Sequence, residues 1–214
     1  MSVPYSYAER LRSALPVAED QLVALRDVWS AFWISRAVIW LAGVGAVVAV
    51  GAAGETSPRL DPFWLTIPFD ETFANLLVAP GARWDSAWYL EIVQYGYDYS
   101  DRAAFFPLYP AVVALAGPLG SPLVAGLLVS CASALAGLYL LHRLVEIDFG
   151  ADTARAVVLI VAWFPSALVL SAVYSEGLFL LLSVGSIYAA RLGRWPLAGL
   201  RARSRRGPAA QGCC

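Results

Sequence analysis

Between Asp27 and Glu55 the chain carries a single charge, Arg36, and from Ala37 to Ala53 the sequence is uninterruptedly apolar. A helix that crosses the hydrocarbon core of a bilayer needs about 20 such residues. The run therefore predicts a first transmembrane span near residues 28–54. A cleaved signal peptide is the competing reading, but the segment ahead of the run is too long to be its positive region. The rest of the chain agrees: only 14% of its residues are charged, against about 25% in soluble domains.

Three more uncharged stretches follow. Residues 103–141 contain Pro107, Pro110, Pro118 and Pro122, and only Leu123–Leu141 is long and clean enough to span. Phe105–Leu119 is short and interrupted by prolines, which remove backbone donors. Residues 156–175 and 177–190 are separated by Glu176 alone and predict a helical hairpin. All fifteen basic residues are arginine, and their placement sets the orientation, because cytoplasmic loops collect positive charge. Four spans near 28–54, 121–142, 155–173 and 175–191 put Arg10, Arg12, Arg26, Arg36, Arg143, Arg155 and the six arginines from Arg191 onward on the cytoplasmic side. A fifth span through Phe105–Leu119 would send the basic tail outside, so that segment is expected to be juxtamembrane or re-entrant. The expectation is an all-α, polytopic protein of the cell membrane with both termini cytoplasmic. Its parts are a cytoplasmic segment 1–27, a membrane domain 28–200 and a basic tail 201–214, with an extracytoplasmic loop over 55–120.

That loop is where chemistry concentrates. Glu55 to Asp101 holds eight of the sixteen acidic residues, and Trp84 to Tyr109 holds nine aromatics. So long a loop is uncommon unless it is functional or disordered, and so aromatic a one is unlike a disordered segment. An interfacial belt of Trp and Tyr at the headgroups is the plain alternative. Trp84, Trp88, Ile92 and Tyr95 recur at helical spacing and Gly96 stands where a helix ends. Residues 86–95 are thus expected to form a short helix lying on the membrane, with Asp85 at its start. Asp85 is then either a helix cap or a carboxylate held ready for chemistry. Glu176 falls at the hairpin tip, on the same side. No metal-ligand cluster stands out; His142, the only histidine, is expected at the interface, and Cys131 as a small core residue.

Taken in order, Arg83-Trp84-Asp85-Ser86-Ala87-Trp88-Tyr89-Leu90, Gly96-Tyr97 and Ala104-Phe105-Phe106-Pro107-Leu108-Tyr109-Pro110 resemble the mannosyltransferases of the PIG-V type. Those enzymes add the second mannose in GPI-anchor synthesis and have bacterial relatives. Phe164-Pro165-Ser166-Ala167 and Tyr174-Ser175-Glu176-Gly177-Leu178-Phe179 extend the likeness. The family's usual form of the latter is Tyr-Ser-Glu-Ser-Leu-Phe, and Gly177 is expected to be a departure of small steric consequence. The resemblance implies the N-terminal part of a GT-C glycosyltransferase fold. Such an enzyme transfers mannose from a polyprenyl-phosphate carrier to an extracytoplasmic glycan or glycolipid acceptor. It needs membrane lipid and no cofactor, metal or nucleic acid. Asp85 is the implied base. Arg83 or Arg102 is the implied phosphate partner, and with Trp84, Trp88, Tyr89, Tyr109 and Glu176 they make up the substrate-binding set.

Beyond Leu200 the apolar pattern gives way to Arg201-Ala202-Arg203-Ser204-Arg205-Arg206. Family members continue with further spans, so the change reads as a C-terminally truncated or frameshifted bacterial member. A natural short form whose basic tail meets anionic headgroups is the other reading. A non-catalytic membrane subunit, or an inactive fragment that assembles with a partner, is the rival to an enzyme. A transporter would place ionisable groups within its spans, and these spans hold few.

Overall fold

The computed structural model describes residues 7–53, 77–98 and 100–193, and among them every regular element is helical. The stretch 55–76 of the expected loop and the tail 201–214 lie outside the described residues. Helix α1 (Tyr7–Ala53) is continuous through position 28, where the sequence sets the membrane boundary. It is followed by a 3-10 turn at Ala79–Gly81, α2 (Ser86–Tyr95) and a 3-10 turn at Ser100–Ala104. Next come α3 (Leu108–Leu115), α4 (Pro122–Phe149) and α5 (Ala151–Trp163). A 3-10 stretch, Pro165–Leu170, then leads to α6 (Glu176–Arg191).

Two segments among the described residues are long and apolar enough to cross a membrane: Gln21–Ala49 within α1, and α4. α3 has 8 residues and rises only about 12 Å, too short for a crossing. The third predicted span is not one helix. α5 stops after 13 residues because Phe164, ahead of Pro165, is extended (φ −60°, ψ 140°), as the proline ring demands of its predecessor. α6 has 16 residues. The count of four helical spans is thus not met by length.

α4 is the central post. Ser121 caps its start, accepting from the Val124 N–H, with Pro122 in the first turn. Gly150, at φ +83°, turns the chain directly into α5. α4 packs most extensively on α6, next on α5, and α1 lies against both α4 and α5. One apolar core joins α1, α4 and α5 through Val28, Phe32, Ala134, Leu138, Val158 and Ala162. A second lies at the other end of α4, where Tyr89, Leu90, Tyr109, Val113, Leu123 and Val173 meet. It is the floor on which the Asp85 loop rests.

Two residues sit elsewhere than expected. Arg36, counted with the cytoplasmic flank, is only 4% exposed within the apolar stretch of α1. Its guanidinium donates to the carbonyls of Ala162 (2.7 Å) and Ala167 and to Ser171 Oγ (3.2 Å). The Ala162 carbonyl belongs to the last turn of α5, whose carbonyls lose their helical partners where the helix breaks at Pro165. His142, expected at an interface, is 1% exposed. Its two nitrogens face Asp27 of α1 at 3.9 Å and Glu146 at 3.7 Å, beyond hydrogen-bond distance. Arg143–Glu146 (2.7 Å), Arg155–Asp27 (3.8 Å) and Arg191–Asp148 gather around them. The bundle therefore has an ionic end, where α4 finishes, and an aromatic end, where α4 begins.

Candidate functional site

At the aromatic end the chain crosses from Gly81 to α2 in four residues. α2 forms over the range its spacing predicts, and Gly96 closes it at φ +76° with its N–H on the Ile92 carbonyl. Ser86, Tyr89, Leu90 and Ile92 turn inward, while Trp88 and Tyr95 are exposed and Trp84 is 58% exposed. Trp88 stacks on Phe105, their ring centroids 6.0 Å apart.

Asp85 occupies the cap position of α2, yet its side chain makes no capping hydrogen bond. Asp85 is exposed, as is Trp84 before it. Trp84 itself has φ +51°, the only non-glycine residue with positive φ among the described residues. A left-handed residue with a side chain costs roughly 1–2 kcal/mol, and such strain tends to gather at functional sites. Here the strain lies next to the candidate base.

The segment Val173–Ser175 closes the site from the other side. Val173 N–H donates to the Gly81 carbonyl at 2.9 Å. The Tyr174 hydroxyl donates to the Arg83 carbonyl (3.1 Å) and accepts the Asp85 N–H (3.2 Å). Tyr89, whose ring is edge-on to Phe105, Tyr109 and Tyr174, places its hydroxyl 2.8 Å from Ser175 Oγ. Glu176 follows as the exposed first residue of α6, and its charge and that of Asp85 both bear on the Tyr174 hydroxyl. The two motifs, read 90 positions apart, are thus one surface.

Two of the expected contact residues serve deeper. Tyr109 is buried beneath the loop, donating to the Gly126 carbonyl at 3.2 Å and lying 2.8 Å from Ser130 Oγ. Arg102 is also buried; it pairs with Glu91 at 3.2 Å, donates to the Gly96 carbonyl at 3.1 Å and covers the Tyr95 ring. It ties the far end of α2 to the following turn. Arg83, half-buried, is the cation adjacent to Trp84 and Asp85 in the chain. Among the described residues no group of three or more His, Cys, Asp or Glu side chains is arranged to hold a metal ion.

Burial also fixes the protonation of the tyrosines. It pushes the Tyr89 hydroxyl upward and the Tyr174 hydroxyl to about 12. The ordinary tyrosine value is about 10. A folded-state value above the unfolded one contributes stability in full below pH 10 and loses it as pH rises toward 12. Alkaline titration of the detergent-solubilised protein should therefore show a loss of stability between pH 10 and 12 that Tyr174→Phe reduces.

The sequence profile of the mannosyltransferase (PIG-V) family matches residues 52–202, which contain this whole surface. The chain belongs to that family. Within it, the chain is similar to a GPI mannosyltransferase 2 of Yarrowia lipolytica, with 28% identity over 143 residues, 63% of this chain and 40% of the relative. A GPI mannosyltransferase 2 of Cryptococcus neoformans var. neoformans shows 29% identity over 150 residues, 63% of this chain and 35% of the relative. The chain thus spans well under half the length of these curated relatives. No solved structure matches the chain.

Membership makes the departure at position 177 informative. A Cβ on Gly177 would lie 2.8 Å from the Ser130 carbonyl and 3.2 Å from that of Leu170, both backbone atoms. A side chain at this position is therefore not sterically neutral in this chain, contrary to the expectation of small consequence; α6 packs here at a distance only glycine permits. Gly177→Ser should destabilise the solubilised protein by about 1–3 kcal/mol, read as a lowered unfolding midpoint. The residues the sequence reading left out of the site are Tyr174, Ser175 and Ser130. The first two were visible within the Tyr-Ser-Glu motif, whereas Ser130 lies in an apolar helix with nothing to mark it.

Proposed function

We propose that this chain carries the catalytic face of a membrane mannosyltransferase, moving mannose from a polyprenyl-phosphate-linked donor to a glycan or glycolipid acceptor outside the cytoplasm. One observation carries the reading. Asp85 stands exposed on a strained turn, its carboxylate makes no capping bond, and its backbone N–H is tied to the Tyr174 hydroxyl. Displacement at the anomeric carbon requires a base for the acceptor hydroxyl and a cation for the departing phosphate. Asp85 takes the first role and Arg83 the second. Trp84 and Trp88 offer apolar faces to the sugar ring, Glu176 a hydroxyl contact, and Tyr89, Tyr109 and Arg102 hold the wall behind them.

The topology proposed with it has four membrane-crossing segments, the third being α5 continued by the Pro165–Leu170 turn, and cytoplasmic termini. Arg143, Arg155 and Arg191 at the ionic end support that orientation. At the break of the third segment the Arg36 guanidinium donates to the carbonyls of Ala162 and Ala167, which gives that backbone polar partners within the protein. Irregular backbone is tolerated at membrane depth on that condition.

Membranes containing the chain should transfer labelled mannose from polyprenyl-phosphomannose to an extracted glycolipid acceptor, above membranes lacking it. A second reading, a non-catalytic subunit, draws on the chain matching only 35–40% of its relatives' length. Absence of transfer by the chain alone, with recovery on adding a co-purifying partner, would favour it.

A further inference from the structure

Trp84 is held in the left-handed region with its indole largely in solvent, so packing of its ring does not explain the conformation. The backbone around it does. The Tyr174 hydroxyl reaches both sides of that residue, donating to the carbonyl of Arg83 and accepting from the amide of Asp85. One hydroxyl thus bridges the groups immediately before and after the strained residue. The anchor behind it is firm: Ser130 Oγ donates to the Tyr174 carbonyl at 3.1 Å, and Val173 N–H holds Gly81 at 2.9 Å. Ser86 Oγ closes the loop on itself by donating to Gly81 at 3.2 Å. The loop carrying Asp85 is therefore stapled to the turn between α5 and α6, which rests on α4.

We infer that Tyr174 is the positioning residue for Asp85: its hydroxyl holds the Trp84 turn and so aims the carboxylate at the acceptor. This rests on the transfer reading above. Tyr174 itself touches no reacting atom. Donation to Arg83 requires the neutral phenol, which burial preserves across the physiological range. Loss of the hydroxyl would leave the Asp85 amide and one lone pair of Arg83 without this partner, and the strained turn would relax.

The test is Tyr174→Phe in the full chain in membranes, with two readouts. For transfer from polyprenyl-phosphomannose, kcat should fall about 10- to 100-fold, the scale of a misplacement near 1 Å, while the donor KM stays within about threefold. In hydrogen exchange, protection of residues 82–88 should fall while α4 and α6 keep theirs. Unchanged kcat would overturn the assignment. So would exchange that rises throughout α4 and α6, because Tyr174 would then be a residue of the general fold. A parallel rise in KM with unchanged kcat would overturn it too, making Tyr174 a binding residue. If the unmodified chain transfers nothing, the transfer reading fails by itself, and the exchange experiment alone decides whether Tyr174 holds the loop.

Discussion

Asp85→Asn should lower mannosyl transfer by about 10²- to 10⁴-fold, the usual range for removing a general base, with little change in the unfolding midpoint. The amide has the shape of the carboxylate but takes no proton from an acceptor hydroxyl. The expected indifference of stability follows from the structure. Asparagine caps helices as well as aspartate does, and the Asp85 side chain makes no capping bond to lose. What remains is the attraction of a negative charge for the N-terminus of α2, roughly 0.3–1 kcal/mol. Single-turnover transfer from a labelled polyprenyl-phosphomannose donor separates the chemical step from donor binding. A fall in rate at constant donor affinity places the effect on chemistry. Retention of full transfer by a folded Asp85→Asn chain would remove Asp85 as the base, and the exposed, uncapped carboxylate would need another explanation.

Much of this end of the molecule is legible from sequence because its signals are local. The 3.6-residue spacing and Gly96 give the range of α2, and proline content marks Phe105–Leu119 as too broken to span. The face of α2 is not legible in the same way. Trp88 and Tyr95 share the spacing of Ile92, yet of these three only Ile92 packs inward, beside Ser86, Tyr89 and Leu90. Gly177 shows a similar limit, since its tolerance depends on the α4 backbone that lies against it. Tyr174 stands in a visible motif, yet its role needs Arg83 and Asp85 brought across about ninety positions of chain. His142 is polar and near a helix end, which suggests an interface; only packing between Asp27 and Glu146 reveals it as buried. In each case the sequence names the residue, and a partner from another element decides what it does.

Arg36 is the clearest such case, and replacing it should have the largest effect on stability. A charge within an apolar run reads as the flank of a span, because a lone arginine in hydrocarbon is costly. The acceptors that make it tolerable lie 126 to 135 positions onward, at Ala162, Ala167 and Ser171. The guanidinium also lies 5.5 Å from the centroid of the Phe32 ring. Its fork thus does for the end of α5 what an intact next turn would have done. Arg36→Met keeps the aliphatic volume and removes the donors, orphaning two carbonyls at roughly 1–3 kcal/mol each. Relief from burying the charge offsets part of that, leaving a net loss on the order of 2–4 kcal/mol. Arg36→Lys should recover only part of it, since a point donor does not reproduce the planar fork. Thermal unfolding in detergent checks both variants. An Arg36→Met protein as stable as the unmodified chain would mean that the broken helix satisfies its carbonyls without Arg36. The expected order, unmodified above Lys above Met, would instead identify the arginine as the element that makes a helix broken at Pro165 compatible with an apolar interior.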